Sequence, residues 1–468
     1  MSGRKNTSTR PHPGGSPNNS GSPAIRRETI SIDALTYGPA GIGRTAEGKA
    51  VFVEGTAPGD TVTVDIVREK ASFCEGSLVS VDEPGQTRID SPFPAEALRS
   101  IAPWGHISYE AQLAAKRENL KSTLVRIAGL DADKVEKLVA ETVASPHRTG
   151  YRNKLELGCR TGTDGHLEVG FHREKSHDLV YLDRIPLACK PLEKAPKALR
   201  GGMRYVAGQA SDLKLFRIGM RASLRTKDIE VALWTEPGPF PRSLAVKVLR
   251  DALHPTSIVR VIADAGKSRR VKQVEVLWGK GCWEERLGDN RFKVSAPSFF
   301  QVNTEQAENL IALALERLAI GPGDFVADLY SGVGTFSIPL AKRGADVVAV
   351  ESSGPAVRDL RRNADLNRVT IECIGGDSAR ELPELGGLDA LVVDPPRAGL
   401  AESVPGDIAL AAPSRVAYVS CDPATFARDI ARFSDAGYEL RGATPVDLFP
   451  QSFHAETVGI LERRSSIR

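Results

Sequence analysis

Short alternating apolar runs, cut by proline and glycine turns, open the ordered part of the chain. Ile30, Ile32 and Leu35 lead into the glycine-rich Tyr37-Gly38-Pro39-Ala40-Gly41-Ile42-Gly43. Ala50-Val51-Phe52-Val53, the turn Ala57-Pro58-Gly59-Asp60 and Val62-Thr63-Val64-Asp65-Ile66-Val67 follow. Period-two alternation between such turns predicts a small β-barrel over residues 29–83. Barrels of this size bind oligonucleotides, although a β-domain without a ligand shows the same pattern. Over residues 108–129 the period changes. Ser108 can cap a helix, and good helix formers with helical apolar spacing follow it. From about 150 to 300 strands dominate, as in Ile229-Glu230-Val231-Ala232-Leu233-Trp234. The expectation is a middle α+β domain over residues 84–299.

Residues 300–468 alternate strands and helices. Apolar runs at 325–330, 346–351, 388–394 and 415–420 read as strands, and residues 336–342 and 356–366 as helices. This pattern predicts an α/β domain with an open, doubly wound, mostly parallel sheet. Ligands bind at the carboxyl ends of strands in such sheets.

Composition narrows the class. The chain has 468 residues, of which 41% are hydrophobic and 26% charged, as expected of a multidomain globular protein. Its six cysteines show no Cys-x-x-Cys spacing, against both a disulfide framework and a zinc knuckle. No apolar run has membrane-spanning length, and no signal-peptide core opens the chain. A cytoplasmic monomer with reduced thiols is the expectation. The net charge is +3, but cation is partly clustered, at Lys267, Arg269, Arg270 and Lys272 and again at Arg358, Arg361 and Arg362. Residues 1–28, rich in Ser, Pro, Gly and Asn with scattered arginines, read as a disordered basic tail able to touch a polyanion.

The chemistry is concentrated in the last domain. Gly332-Val333-Gly334 lies between a strand and a helix, where missing side chains let a ligand approach the backbone. Glu351 ends the next strand, about 20 residues on, where a carboxylate accepts from a ribose diol. Together they imply a nucleoside-containing cofactor. A dinucleotide fingerprint needs a third glycine at position 337, which here is Ser337. Asp394-Pro395-Pro396-Arg397 closes another strand, with prolines that cannot continue a ladder. Cys421 follows a strand and precedes a helix N-terminus, a field that favours thiolate. Taken alone, such a cysteine is more often a small buried hydrophobe. His454 and Glu456 would share one face of an extended segment, and a buried Glu456 would be a general base.

With those residues in place, the chain resembles the RNA 5-methyluridine (uracil-C5) methyltransferases, and residues 29–83 resemble their RNA-binding TRAM domain. Five motifs in order carry the resemblance: Phe299-Phe300-Gln301-Val302-Asn303, Asp328 to Phe336, Asp394 to Gly399, Ser420 to Thr425, and His454 to Val458. The resemblance implies S-adenosylmethionine as cofactor, contacted by Gln301, Tyr330, Glu351 and Asp394, with Asp377 and Thr335 as further candidates. It implies Cys421 as nucleophile and Glu456 as base, acting on a uridine of structured RNA, ribosomal or transfer. Asp394-Pro395-Pro396 differs from the Asn-Pro-Pro-Tyr motif of amine methylation, which favours carbon as acceptor. An RNA-binding module with a silent methyltransferase domain is the alternative. A nicotinamide-dependent oxidoreductase is disfavoured by Ser337 and the Asp394 motif.

One departure stands out. Many members of that family hold an iron–sulfur cluster on four cysteines. Here Ser91, Arg99 and Ala102 stand about where three would be, and Cys189 alone matches the fourth. One thiolate cannot hold a cluster that needs four, so no iron–sulfur cluster and no metal are expected.

Overall fold

A computed structural model describes residues 26–172, 178–210, 212–266 and 270–464. Residues 1–25 of the expected tail, and Lys267 and Arg269 of the basic cluster, lie outside the described residues. Arg26 and Arg27 belong to the first strand rather than to the tail, and Arg27 pairs with Asp65 at 2.7 Å.

Five strands close the N-terminal barrel in the order Arg26–Leu35, Ala40–Arg44, Ala50–Glu54, Phe73–Glu83, Thr61–Glu69. The alternation seen in the sequence places Ile30, Ile32, Val51, Val53, Val62, Val64 and Cys74 inside. Gly43 is required where the first two strands cross closely, because a Cβ there would lie 2.2 Å from the Ser31 carbonyl oxygen.

A second sheet has seven strands, in the order Val271–Gly279, Ser257–Ala263, Ile229–Thr235, Leu215–Ala222, Lys154–Thr161, Leu167–His172, Leu179–Val180. Helices Ala195–Gly208 and Arg242–Leu253 share one core with it, where Leu199, Met203 and Leu249 meet Leu155, Ile218 and Leu233. Ala102 and Cys189 are buried in that core with Phe93 and Ala97. The Ser91 hydroxyl accepts from the Phe93 N–H at 3.2 Å.

The C-terminal sheet also has seven strands, in the order Glu372–Gly375, Asp346–Glu351, Phe325–Leu329, Ala390–Val393, Arg415–Ser420, Glu456–Arg463, Tyr438–Val446. The first five are parallel. Glu456–Arg463 enters antiparallel between Arg415–Ser420 and Tyr438–Val446. Apolar cores fill both faces, as the continuous apolar runs of the parallel strands require. Helix Tyr109–Arg126, earlier in the chain, packs Leu120 and Leu124 into one of these cores. The helix begins after Ser108, whose side chain makes no capping bond. Among the described residues no helix is long and apolar enough to cross a membrane.

Candidate active site

The carboxyl ends of the parallel strands converge on one edge of the C-terminal sheet. Leaving the strand Phe325–Leu329, Tyr330 adopts a left-handed φ of 61° and turns the chain sharply. Gly332 follows at φ 58°, with open space where a Cβ would stand. Gly334, at φ 91°, packs so closely that a Cβ would fall 2.6 Å from Leu360. The turn is fastened to the next strand by Glu351, whose two carboxylate oxygens accept from the N–H groups of Gly332 at 2.9 Å and Ser353 at 2.6 Å. Asp328 lies buried beneath the turn. One of its oxygens accepts from the Ser337 hydroxyl, and the other has no hydrogen-bond partner. Burial pushes the Asp328 carboxyl up to about 7 despite the Ser337 bond, and Asp394 and Glu351 add to the shift.

Thr335 is half-buried in the same turn. Asp377 is exposed and caps the short helix Ser378–Glu381 through the Ala379 N–H. Gln301 is buried ahead of helix Thr304–Leu318, with its backbone oxygen held by Asn153 at 3.0 Å.

Cys421, Glu456 and Asp394 come together through strand register. Ser420 pairs with Thr457 across the antiparallel ladder. The ladder ends there; Cys421 and Glu456 are the next residues at that end of the two strands, and the Glu456 charge acts on the Cys421 thiol. Glu456 is 5% exposed. Burial and then the Asp394 charge push its carboxyl up to about 8. Asp394 is half-buried at the end of Ala390–Val393, and the enclosing protein raises it to about 7.

The thiolate-favouring field expected at Cys421 is overridden. Burial, followed by Glu456 and Asp394, pushes the thiol up to about 12, and Arg397 offsets only part of this. A helix N-terminus is worth about half an elementary charge. Here the Ala424 and Thr425 N–H groups are already taken by the Asp422 cap. Of the extended segment expected to carry His454 and Glu456, the strand itself begins at Glu456. His454 precedes it among aromatic rings, with Phe453 at 4.1 Å between centroids, and burial followed by Arg397 lowers its pKa to about 4.

A cleft of about 540 Å³ runs between the middle sheet and this edge. Cys421, Arg397, Phe299, Phe449 and His454 line one side, and Arg152 and Lys154 belong to the other. Burial and the nearby Arg221 lower Lys154 to about 8. Gln301, Tyr330, Glu351 and Asp394 do not line this cleft. Cys421 therefore borders an aromatic, cation-flanked cleft while the Glu456 and Asp394 carboxyls act on it from outside the cleft lining. Tyr37, from the barrel, donates its hydroxyl to the Cys421 carbonyl at 3.0 Å. The sequence signalled that residue only as an aromatic beside a glycine turn, with nothing to tie it to this edge.

The chain matches the TRAM domain family over residues 26–79 and the family described as tRNA (Uracil-5-)-methyltransferase over residues 108–385 and 386–464. An uncharacterised RNA methyltransferase of Gloeobacter violaceus is 34% identical, the match covering 93% of this chain and 96% of the relative. One of Lactobacillus johnsonii is 32% identical over 93% and 98%. The crystal structure of Pyrococcus abyssi tRNA (uracil-54, C5)-methyltransferase in complex with S-adenosyl-L-homocysteine superposes with a TM-score of 0.70. That match is 26% identical and covers 92% of this chain and 99% of that one. The chain belongs to the tRNA (uracil-5-)-methyltransferase family, whose members are S-adenosylmethionine-dependent RNA methyltransferases.

Proposed function

We propose that the protein methylates C5 of a uridine in structured RNA through a covalent adduct between Cys421 and C6, with Glu456 as base. The ladder end at Ser420 and Thr457, with Cys421 and the buried Glu456 next beyond it, carries this reading. C5 of uracil is a weak nucleophile. Addition of the Cys421 sulfur to C6 gives up the thiol proton to solvent and moves the C5–C6 electron pair into an enolate, which makes C5 nucleophilic. After methylation Glu456 takes the remaining C5 proton, the double bond re-forms, and the C6–S bond breaks to release Cys421. The target base must leave its stack to reach Cys421. The aromatic cleft is large enough for one nucleotide, and Arg152 and Lys154, which line it, would meet its phosphates.

The chain fits the cofactor on its own geometry. The open space at Gly332, the Glu351 carboxylate beside it and the unpartnered Asp328 oxygen form a cradle for a ribose and an amino-acid head group. Glu351, Tyr330, Asp394 and Gln301 would hold S-adenosylmethionine. When bound, it supplies the methyl group and a positive sulfonium charge that suits the carboxylate-rich edge. Residues 29–83 and 84–299 would grip the RNA. Free cysteines at 74, 159, 189, 282, 373 and 421 fit the reducing cytoplasm.

Transfer RNA is the first substrate to try, because the similar Pyrococcus abyssi enzyme is named for it. Incubation with 5-fluorouridine RNA and cofactor should trap a covalent complex that Cys421→Ala does not form. Absence of any adduct with intact Cys421, while 5-methyluridine still appears in RNA, would sink the mechanism.

A further inference from the structure

We infer that Tyr37 is a positioning residue for Cys421, through which the N-terminal barrel holds the nucleophile's backbone in place. The inference rests on the reading of Cys421 as nucleophile. The antiparallel ladder ends at Ser420 and Thr457, so the Cys421 carbonyl has left the sheet. The next helix does not take it up. Asp422 is the cap, its own carbonyl accepts from Phe426, and Pro423 has no N–H to offer. A carbonyl stranded between strand and helix needs a donor from elsewhere. The Tyr37 hydroxyl supplies it at 3.0 Å, from a residue 384 positions away in the chain.

The donor is itself held firmly. Tyr37 lies in a turn where Thr36 N–H bonds the Ala40 oxygen at 3.1 Å and the Trp104 ring nitrogen bonds the Gly38 oxygen at 3.2 Å. Its ring meets Phe453 edge-on at 5.6 Å and His454 at 6.1 Å. Both of those residues line the cleft beside Cys421. One side chain of the barrel therefore touches the nucleophile's peptide and the wall that would hold the base. Burial keeps the phenol protonated, so that it remains a donor across the working pH range.

The test is Tyr37→Phe in the full chain, which keeps the ring contacts and removes the hydroxyl. Single-turnover methylation at saturating RNA and cofactor should slow by about ten-fold, the usual size for one hydrogen bond that aligns a reacting group. The KM for RNA should stay within about two-fold. The pH profile should keep its midpoint, because alignment and not ionisation has changed. Tyr37→Ala, which also frees Phe453 and His454, should raise KM as well. A wild-type single-turnover rate in a folded Tyr37→Phe protein overturns the inference, as does a loss confined to KM. Cys421→Ala run alongside separates the failures. If that variant still methylates, the nucleophile reading falls and the inference falls with it. If it is inactive while Tyr37→Phe is normal, only the inference falls.

Discussion

Lys116 and Asp447 form an ion pair with both side chains wholly excluded from solvent, 331 residues apart in the chain. The Tyr109 hydroxyl donates to the other Asp447 oxygen at 2.7 Å, and Lys116 also donates to the Phe449 carbonyl at 3.2 Å. Helix Tyr109–Arg126 thereby anchors the loop that carries Phe449, Phe453 and His454 to the cleft. Lys116→Met leaves Asp447 buried without its cation, which should cost about 3–5 kcal/mol in denaturant unfolding. The double variant Lys116→Met with Asp447→Leu should recover most of that loss, because apolar side chains of similar volume replace such pairs at little net cost. A single variant as stable as wild type would show that water reaches the pair.

Cys421→Ala should reduce turnover by at least about 10³-fold, since the proposed mechanism needs its sulfur for the C6 bond. Cofactor affinity should change little, because the cradle at Gly332 and Glu351 is not touched. Tritium release from 5-[³H]uridine RNA, with calorimetric titration of the cofactor, measures both.

Glu456→Gln should stop the reaction after methylation, leaving methylated RNA bound through Cys421 and visible as a slow-migrating band on denaturing gels. In the wild type, kcat, which includes adduct release, should rise with pH through a midpoint near 8 as the Glu456 carboxyl ionises. Stability should move in the opposite direction. Between 4.5, the ordinary value, and about 8 the folded state keeps a proton that the unfolded chain has lost. Unfolding free energy therefore falls as pH rises through that window. Glu456→Gln removes this cost, so at pH 9 its thermal midpoint should exceed wild type, by roughly 2 °C. An equal or lower midpoint would indicate that the carboxyl is ionised at rest.

Glu351→Ala should weaken cofactor binding by about ten-fold or more. It would delete the proposed acceptor for a ribose diol, and it releases the Gly332 and Ser353 N–H groups that hold the turn. Fluorescence titration with S-adenosylhomocysteine reads the loss directly. Unchanged affinity would move the ribose away from Glu351.

The barrel, the long helix and the parallel strands were legible because each follows from a local period. Ile30 and Ile32 point inward for the same reason that their spacing is two. Less legible was the strand Glu456–Arg463, which inserts between two others and runs against the parallel set. Residues 454–456 look alternating in sequence, yet His454 stands before the strand and Glu456 begins it. Whether a polar residue joins a ladder depends on its partner strand, and that partner is set by tertiary packing.

The candidate site divides in the same way. Residue type and motif order by themselves determined the family resemblance, the cofactor class and the identities of Cys421, Glu456, Glu351 and Asp394 as candidates, because a reaction needs particular functional groups at strand ends. The tertiary structure alone decided that Cys421 rests as a thiol near 12, that Glu456 holds a proton to about 8, and that Tyr37 and Lys116 reach the same edge. Those outcomes come from desolvation and from charges and donors hundreds of residues away in the chain. Both quantities exist only once the folded chain has excluded water and brought distant segments into contact.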